Sequence, residues 1–376
     1  MTRWIWASLW MAPLALGCTT LTHANDFEVS QPPPDRRVCA LCPSRPDLAH
    51  PPCPPPSPQN PAEGVYFFAV RRMEIGFEPN SWTAQDYRTG LDQDCSDRSN
   101  GKPSLCLPRN PDMRFETVNR GIDNALAIQV LSKVPVMTQF DVTSLFNDEI
   151  EHGAGMGMLI VDGWNGEQND DHIRARSVLG KRVMNSDSVP KWDGQDVWEV
   201  YADRWDPDFS AGTVPDTANK TDTAYVRDGV LVWDARALNA LSVPVVAMGG
   251  VTEVRLANPV LAVDVNATAR PRELNNGVVA GVWPLSEATR NAKRLAQLIT
   301  ACDASAADNY ANQLDALFND AADMPSTASE RVAPCDGISV GILLHYVEFA
   351  SVGGIVPLSS IPESCAGSGS GGSVSP

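Results

Sequence analysis

The middle of the chain is a series of short apolar runs separated by turn signals, and this pattern limits the fold more than any other feature. Val65-Tyr66-Phe67-Phe68-Ala69-Val70 is the first run, rich in β-formers. Gly157–Val161, Val197–Tyr201, Val243–Ala247, Val251–Leu256, Val260–Val265 and Gly277–Trp283 follow. Ile173, Ala175, Ser177 and Leu179 alternate with Arg174 and Arg176, the period-two pattern of a half-buried strand. Tyr225-Val226-Arg227 and Val230-Leu231-Val232-Trp233 flank Asp228-Gly229, the strongest short hairpin signal in the chain. Runs roughly 8–20 residues apart predict a mainly β fold, an antiparallel sandwich of the jelly-roll type.

Helical patterns are fewer. Residues 123–134 place apolar side chains at 126, 127, 130, 131 and 134, one helix face, with Asp123 as N-cap. Residues 286–301 start at an N-cap Ser286 and bury Ala292, Leu295, Ala296, Leu298 and Ile299. Residues 306–322 carry Leu314, Leu317 and Phe318. The last two predict a helical hairpin appended to the sandwich.

The ends of the chain read differently. Residues 1–17 form a signal: Arg3 gives the positive start and Trp4–Leu16 an apolar stretch too short to span a bilayer. Leu14-Ala15-Leu16-Gly17-Cys18 resembles the lipobox of bacterial lipoproteins, with Ala15 where that family usually has Leu. The resemblance implies cleavage before Cys18 and a diacylglyceryl group on its sulfur. Thr19, rather than Asp, implies outer-membrane sorting in the same family. An ordinary secretory signal cut after Ala24 is the plainer alternative. Residues 18–62 include twelve prolines between Pro32 and Pro61, which no helix or central strand sustains. They predict an extended stalk of about 3.1 Å per residue. Residues 366–376 are a Gly/Ser tail, so the folded body spans 63–365.

Cysteine usage points the same way. Nine cysteines are an odd count for an oxidising compartment. Assigning Cys18 to lipid leaves eight: Cys39, Cys42, Cys53, Cys95, Cys106, Cys302, Cys335 and Cys365. Eight allow 105 connectivities. Local pairing favours Cys95–Cys106, and one of the three C-terminal cysteines must then find a partner elsewhere. Cys39, Cys42, His50 and Cys53 also have the ligand types of a zinc site, but in a proline-rich, exported segment where thiols oxidise.

Charge narrows the partners. With 46 acidic and 29 basic residues, the net charge of −17 repels phosphate backbones, which argues against nucleic acid. Asp162, Asn165, Glu167, Asn169, Asp170 and Asp171 gather hard oxygens of the kind calcium takes, though not in EF-hand spacing. The plainer reading is a solvated loop whose side chains satisfy turns. Trp164, Trp192, Trp198 and Trp205 lie in or beside polar loops, where an exposed ring would suit a sugar. The plainer reading, and for any single Trp the stronger one, is packing inside the sandwich with its N–H bonded. Glu149 and Glu151 would share one face of a strand, as a glycosidase pair requires, but Asp141–Glu151 reads as helix. No G-x-S-x-G or Walker motif occurs, and Gly153–Met158 lacks the third glycine of a dinucleotide loop.

Several phrases together resemble an uncharacterised family of bacterial secreted lipoproteins. They are Gly121-Ile122-Asp123-Asn124-Ala125-Leu126, then Gly163-Trp164-Asn165-Gly166 with Asn169-Asp170-Asp171. Further on come Leu274-Asn275-Asn276-Gly277 with Ala280-Gly281, and Cys335-Asp336-Gly337-Ile338-Ser339-Val340-Gly341. The resemblance covers most of residues 115–350. It implies location at the outer membrane and architecture, and no reaction. The expectation is a lipid-anchored envelope protein with a non-catalytic binding or structural role toward a glycan or an envelope protein. The alternative is a carbohydrate-active hydrolase.

Overall fold

A computed structural model describes residues 64–74, 106–110, 124–133, 142–153, 157–185, 187–201, 220–235, 241–247, 250–300, 303–326 and 334–357. The signal, the stalk and the Gly/Ser tail lie outside these residues, as do Cys18, Cys39, Cys42, Cys53, Cys95, Cys302, Cys365 and Trp205.

The chain is mainly β. Its strands are β1 (Val65–Glu74), β2 (Gly157–Asp162), β3 (Asp170–Val183), β4 (Val197–Tyr201), β5 (Lys220–Arg227) and β6 (Val230–Asp234). They continue with β7 (Leu241–Ala247), β8 (Gly250–Asn266), β9 (Glu273–Pro284), β10 (Gly337–Glu348) and β11 (Ser351–Val356). The helices are α1 (Val142–Glu151), α2 (Leu285–Ile299) and α3 (Ala304–Ala321), with a π-helical turn at Leu126–Leu131.

Pairing departs from the expected two facing sheets. Taken in chain order, β1, β2, β3, β5, β6, β8, β9 and β10 each pair antiparallel with the next. Then β10 pairs antiparallel with β1, through Phe68↔Glu348 and Val70↔Tyr346. Eight strands therefore close into a ring, an up-and-down meander barrel with no open edge of its own. The seam that makes the ring is β3 with β5, at Ile173↔Ala224 and Ala175↔Thr221. Local strand patterns of a sandwich and of a meander barrel are alike, since both alternate inward and outward residues. Only the partner of each edge separates them, and that is a long-range fact.

Three strands sit outside the ring. The far end of β3 pairs with β4 at Gly180↔Val200, and β11 lies parallel to β4. The first half of β8 pairs with β7 as a hairpin arm. The two runs expected at 251–256 and 260–265 are one strand, β8. Its register shifts between Ala257 and Val260, and Asn258 takes φ +50°, a conformation that Asn accepts at small cost. The bend lets one strand serve the arm at one end and the barrel at the other.

Side chains alternate across the wall. Val226, Leu231, Trp233, Val279 and Val340 belong to the main buried cluster. Their neighbours in sequence, Val232 with Tyr225 and Val278 with Ala280, form small separate clusters. That is the period-two alternation of a strand seen from both sides. The Asp228-Gly229 turn forms as expected, with φ +52° and +80°, the two positive values that a type I′ turn requires.

The helical hairpin is present. Asp303 caps α3 by accepting from the Ser305 and Ala306 N–H groups, so the helix begins two residues before the expected 306. The other helix starts at Leu285, with Ser286 already inside it and no side-chain cap. Ala288, Ala292 and Ala296 give α2 a small-residue buried face, and Trp283 meets Phe318 edge-on at 5.2 Å. Glu149 and Glu151 lie on α1, where residues two apart point in different directions, so they do not form the convergent pair that a strand would give.

One disulfide joins Cys106 to Cys335. This corrects the local Cys95–Cys106 pairing. Leu107 bridges to Pro334 in parallel, and the Cys335 N–H donates to the Leu107 carbonyl, which brings the two cysteines side by side.

Candidate functional site

Three polar centres and one apolar cavity stand out among the described residues. The first centre is the acidic loop between β2 and β3. Asp170 Oδ2 accepts the Asn165 N–H at 2.7 Å, Asn165 Oδ1 accepts the Glu167 N–H, and Asn165 Nδ2 donates to the Asn169 carbonyl. Asn169 Oδ1 accepts the Asp228 N–H and ties the loop to the neighbouring hairpin. Asp162 pairs with Arg174 at 2.5 Å and Arg176 at 3.5 Å. The oxygens expected for calcium thus hold backbone N–H groups and guanidinium groups. Among the described residues no group of three or more His, Cys, Asp or Glu is arranged for a metal ion. Glu167 is exposed and Asp171 half-buried at the rim of the loop.

The tryptophans divide. Trp164 is 1% exposed, packs edge-on to Tyr66 at 5.0 Å and donates its indole N–H to the Glu167 carbonyl. Trp198 is fully buried, 6.4 Å from Phe349. Neither offers a ring face to a sugar; both anchor loops to the body. Trp192 stays half-open. It sits at φ +56°, unusual for a bulky residue, and leans on Trp198 at 6.2 Å.

Asp196, the second centre, explains that backbone. Its buried carboxylate accepts from Lys191 N–H at 3.0 Å, Trp192 N–H at 2.9 Å and Asn185 Nδ2 at 2.6 Å. A single acid therefore fixes the whole 185–196 loop, and nothing in its local sequence singles it out from the exposed acids beside it.

The third centre lies under the helices. Ser339 donates its N–H to Asp323 Oδ1 at 2.8 Å and its hydroxyl to Oδ2 at 2.5 Å, while Ser339 Oγ accepts the Ala125 N–H at 2.7 Å. Burial pushes the Asp323 carboxyl up to about 7, against the lowering effect of the Ser339 bonds. Beside it, Asn124 bonds both the N–H and the carbonyl of Gly341. The phrases Asn124-Ala125-Leu126 and Ser339-Val340-Gly341, far apart in sequence, meet here. Gly277 and Gly281 of a third phrase lie opposite Leu344 and Val340 on the next strand. These contacts hold elements together and are closed to solvent.

The cavity lies inside the barrel wall, toward the end covered by the β7–β8 arm. It measures about 30 Å³ and is lined by Val70, Met73, Met158, Leu241, Val243 and Leu344, with Trp233, Tyr346 and Ser177 as its polar-tipped members. Sequence reading missed it, because its walls come from eight strands whose residues look like ordinary core.

His152 is exposed, with its ring nitrogen 2.6 Å from the Asp148 carbonyl. Asp203, Asp206 and Asp208, a second acidic cluster, fall outside the described residues. No helix among the described residues is long and apolar enough to cross a membrane. No protein-family model, no curated protein and no solved structure matches the chain.

Proposed function

We propose that the chain is an exported lipoprotein of the bacterial outer membrane, anchored through Cys18, whose β-rich body serves a non-catalytic binding or structural role in the envelope. The Cys106–Cys335 bond carries this reading. A buried cross-link between distant residues belongs to an oxidising compartment, and it uses two of the eight thiols left after Cys18. The polar centres support the non-catalytic half. Asp196, Asp323, Ser339 and Asn124 each spend their hydrogen bonds on backbone and neighbouring groups, as scaffold residues do. The partner is a glycan or another envelope protein. For a glycan, the half-open Trp192 on its clamped loop is the contact, and Trp164 and Trp198 support the loops from beneath.

Mass spectrometry of the protein isolated from its native host tests the reading. The expected result is an acylated N-terminal Cys18 with no free thiols. An unacylated chain with reduced cysteines overturns it. Glycan-array binding lost in Trp192→Ala, with the fold intact by circular dichroism, would identify the partner class. Binding unchanged by that variant moves the contact elsewhere.

A further inference from the structure

The barrel cavity combines an apolar wall with a buried hydrogen-bond donor that meets no acceptor among the described residues. Trp233 is 1% exposed, lines the cavity, and its indole N–H meets no acceptor among the described residues. An unmet buried donor is costly, and native structures rarely keep one without a reason. The Trp164 indole N–H reaches a carbonyl; those of Trp198 and Trp283 also meet no acceptor among the described residues, but of these three only Trp233 lines a cavity that could hold one. Tyr346 lines the same space, and burial holds its phenol well above the usual range, so it presents a hydroxyl and never a phenolate at physiological pH. Ser177 adds a second hydroxyl.

We propose that this cavity binds a small neutral organic molecule with an apolar body and a single carbonyl-type acceptor, whose oxygen takes the Trp233 N–H. Three observations fix that class. Met73, Met158, Leu241, Val243 and Leu344 form walls that favour carbon over water. Among the described residues no Lys, Arg or His lines the space, so a carboxylate would enter without a compensating charge, at high cost. The volume of about 30 Å³ exceeds the roughly 10–15 Å³ that one water needs and suits a molecule of only a few heavy atoms. An eight-stranded barrel encloses an interior of about this scale, either filled by side chains or holding one small ligand. Access is at the arm end, where Leu241 and Val243 of β7 close the space. The inference is independent of lipidation at Cys18.

The test uses purified full-length protein and three probes: 2-butanone, its isosteric alkene 2-methyl-1-butene, and butanoate. Binding is followed by the NMR shift of the Trp233 indole N–H, assigned by comparison with Trp233→Phe. The expected result is saturable binding of the ketone, about tenfold tighter than the alkene, with butanoate silent. In Trp233→Phe the ketone loses that advantage while the alkene still binds, read from methyl shifts of Met73 and Met158. Val279→Phe, which fills the space, abolishes both. Three outcomes overturn the proposal: no shift with either neutral probe, equal affinities in the native protein, or an indole N–H showing exchange contact with an ordered water that neither probe displaces. The native-protein titration stands alone if a variant fails to fold.

Discussion

Asn124 lays its carboxamide against the backbone of Gly341, accepting the N–H at 3.1 Å and donating to the carbonyl at 3.2 Å. The side chain imitates a neighbouring strand and docks the π-helical turn on β10. Asn147 does the same to Met73, at 2.9 and 2.8 Å, and docks α1 on β1. Removing Asn124 leaves two buried backbone groups unpaired. Asn124→Ala should cost about 2–4 kcal/mol in urea unfolding. Asn147→Ala, in a half-buried setting, should cost about half as much.

Asp323 makes stability fall as pH rises. Its folded value, raised to about 7 by burial, lies above the ordinary 3.8, so the folded chain holds a proton that the unfolded chain releases. That contribution is complete below about pH 4 and is lost through about pH 7. Unfolding free energy should decline by on the order of 3 kcal/mol between pH 4.5 and 8 from this group. Asp323→Asn should remove this part of the slope. A parallel pH profile in the variant would show that the carboxyl does not titrate in this range.

The Cys106–Cys335 bond closes a loop with a sequence separation of 229. Long loops gain most from cross-linking, so Cys106→Ala/Cys335→Ala should lose about 2–5 kcal/mol. Mild reduction of the native protein should lower Tm in the same direction, and the double variant should respond less.

Two glycines should separate conformational cost from steric cost. Gly229 sits at φ +80° with open space around an added Cβ, so Gly229→Ala should cost about 1 kcal/mol through backbone strain alone. A Cβ on Gly337 would run into Val282 Cγ1, so Gly337→Ala should cost several times more, about 3 kcal/mol. Equal losses would contradict this packing of β10 against β9.

Asp196 should govern the Trp192 loop. Asp196→Ala frees three donors at once and should cost about 2–4 kcal/mol. The Trp192 ring should then lose its fixed contact with Trp198, seen as a red-shifted fluorescence spectrum. Asp196→Asn retains one acceptor and should fall between.

Local chemistry was legible wherever it was self-contained. Asp228-Gly229 announced its hairpin because only such residues take two positive φ values in succession. The helical pair was legible from its apolar spacing. Ring closure was not, because Val65–Val70 reads the same whether its second neighbour is a sheet-mate or the last barrel strand. Strand β10 was not legible as a half-buried strand, because the residues between Val340, Ile342, Leu344 and Tyr346 are themselves buried or half-buried and the polarity does not alternate. Cys106 illustrates the same limit: proximity in sequence favoured Cys95, while the long-range parallel bridge of Leu107 to Pro334 brought Cys335. The clamp role of Asp196 was hidden among other loop acids, and only burial distinguishes it.

The pairing of β1 with β10 carries a consequence for how the molecule comes into being. Phe68 leaves the ribosome some 280 positions before Glu348, the residue it finally lies against. One flank of the first strand is therefore bare until almost the whole polypeptide has been made. Chains halted before residue 337 should remain unlatched cylinders with two raw margins, prone to sticking to each other.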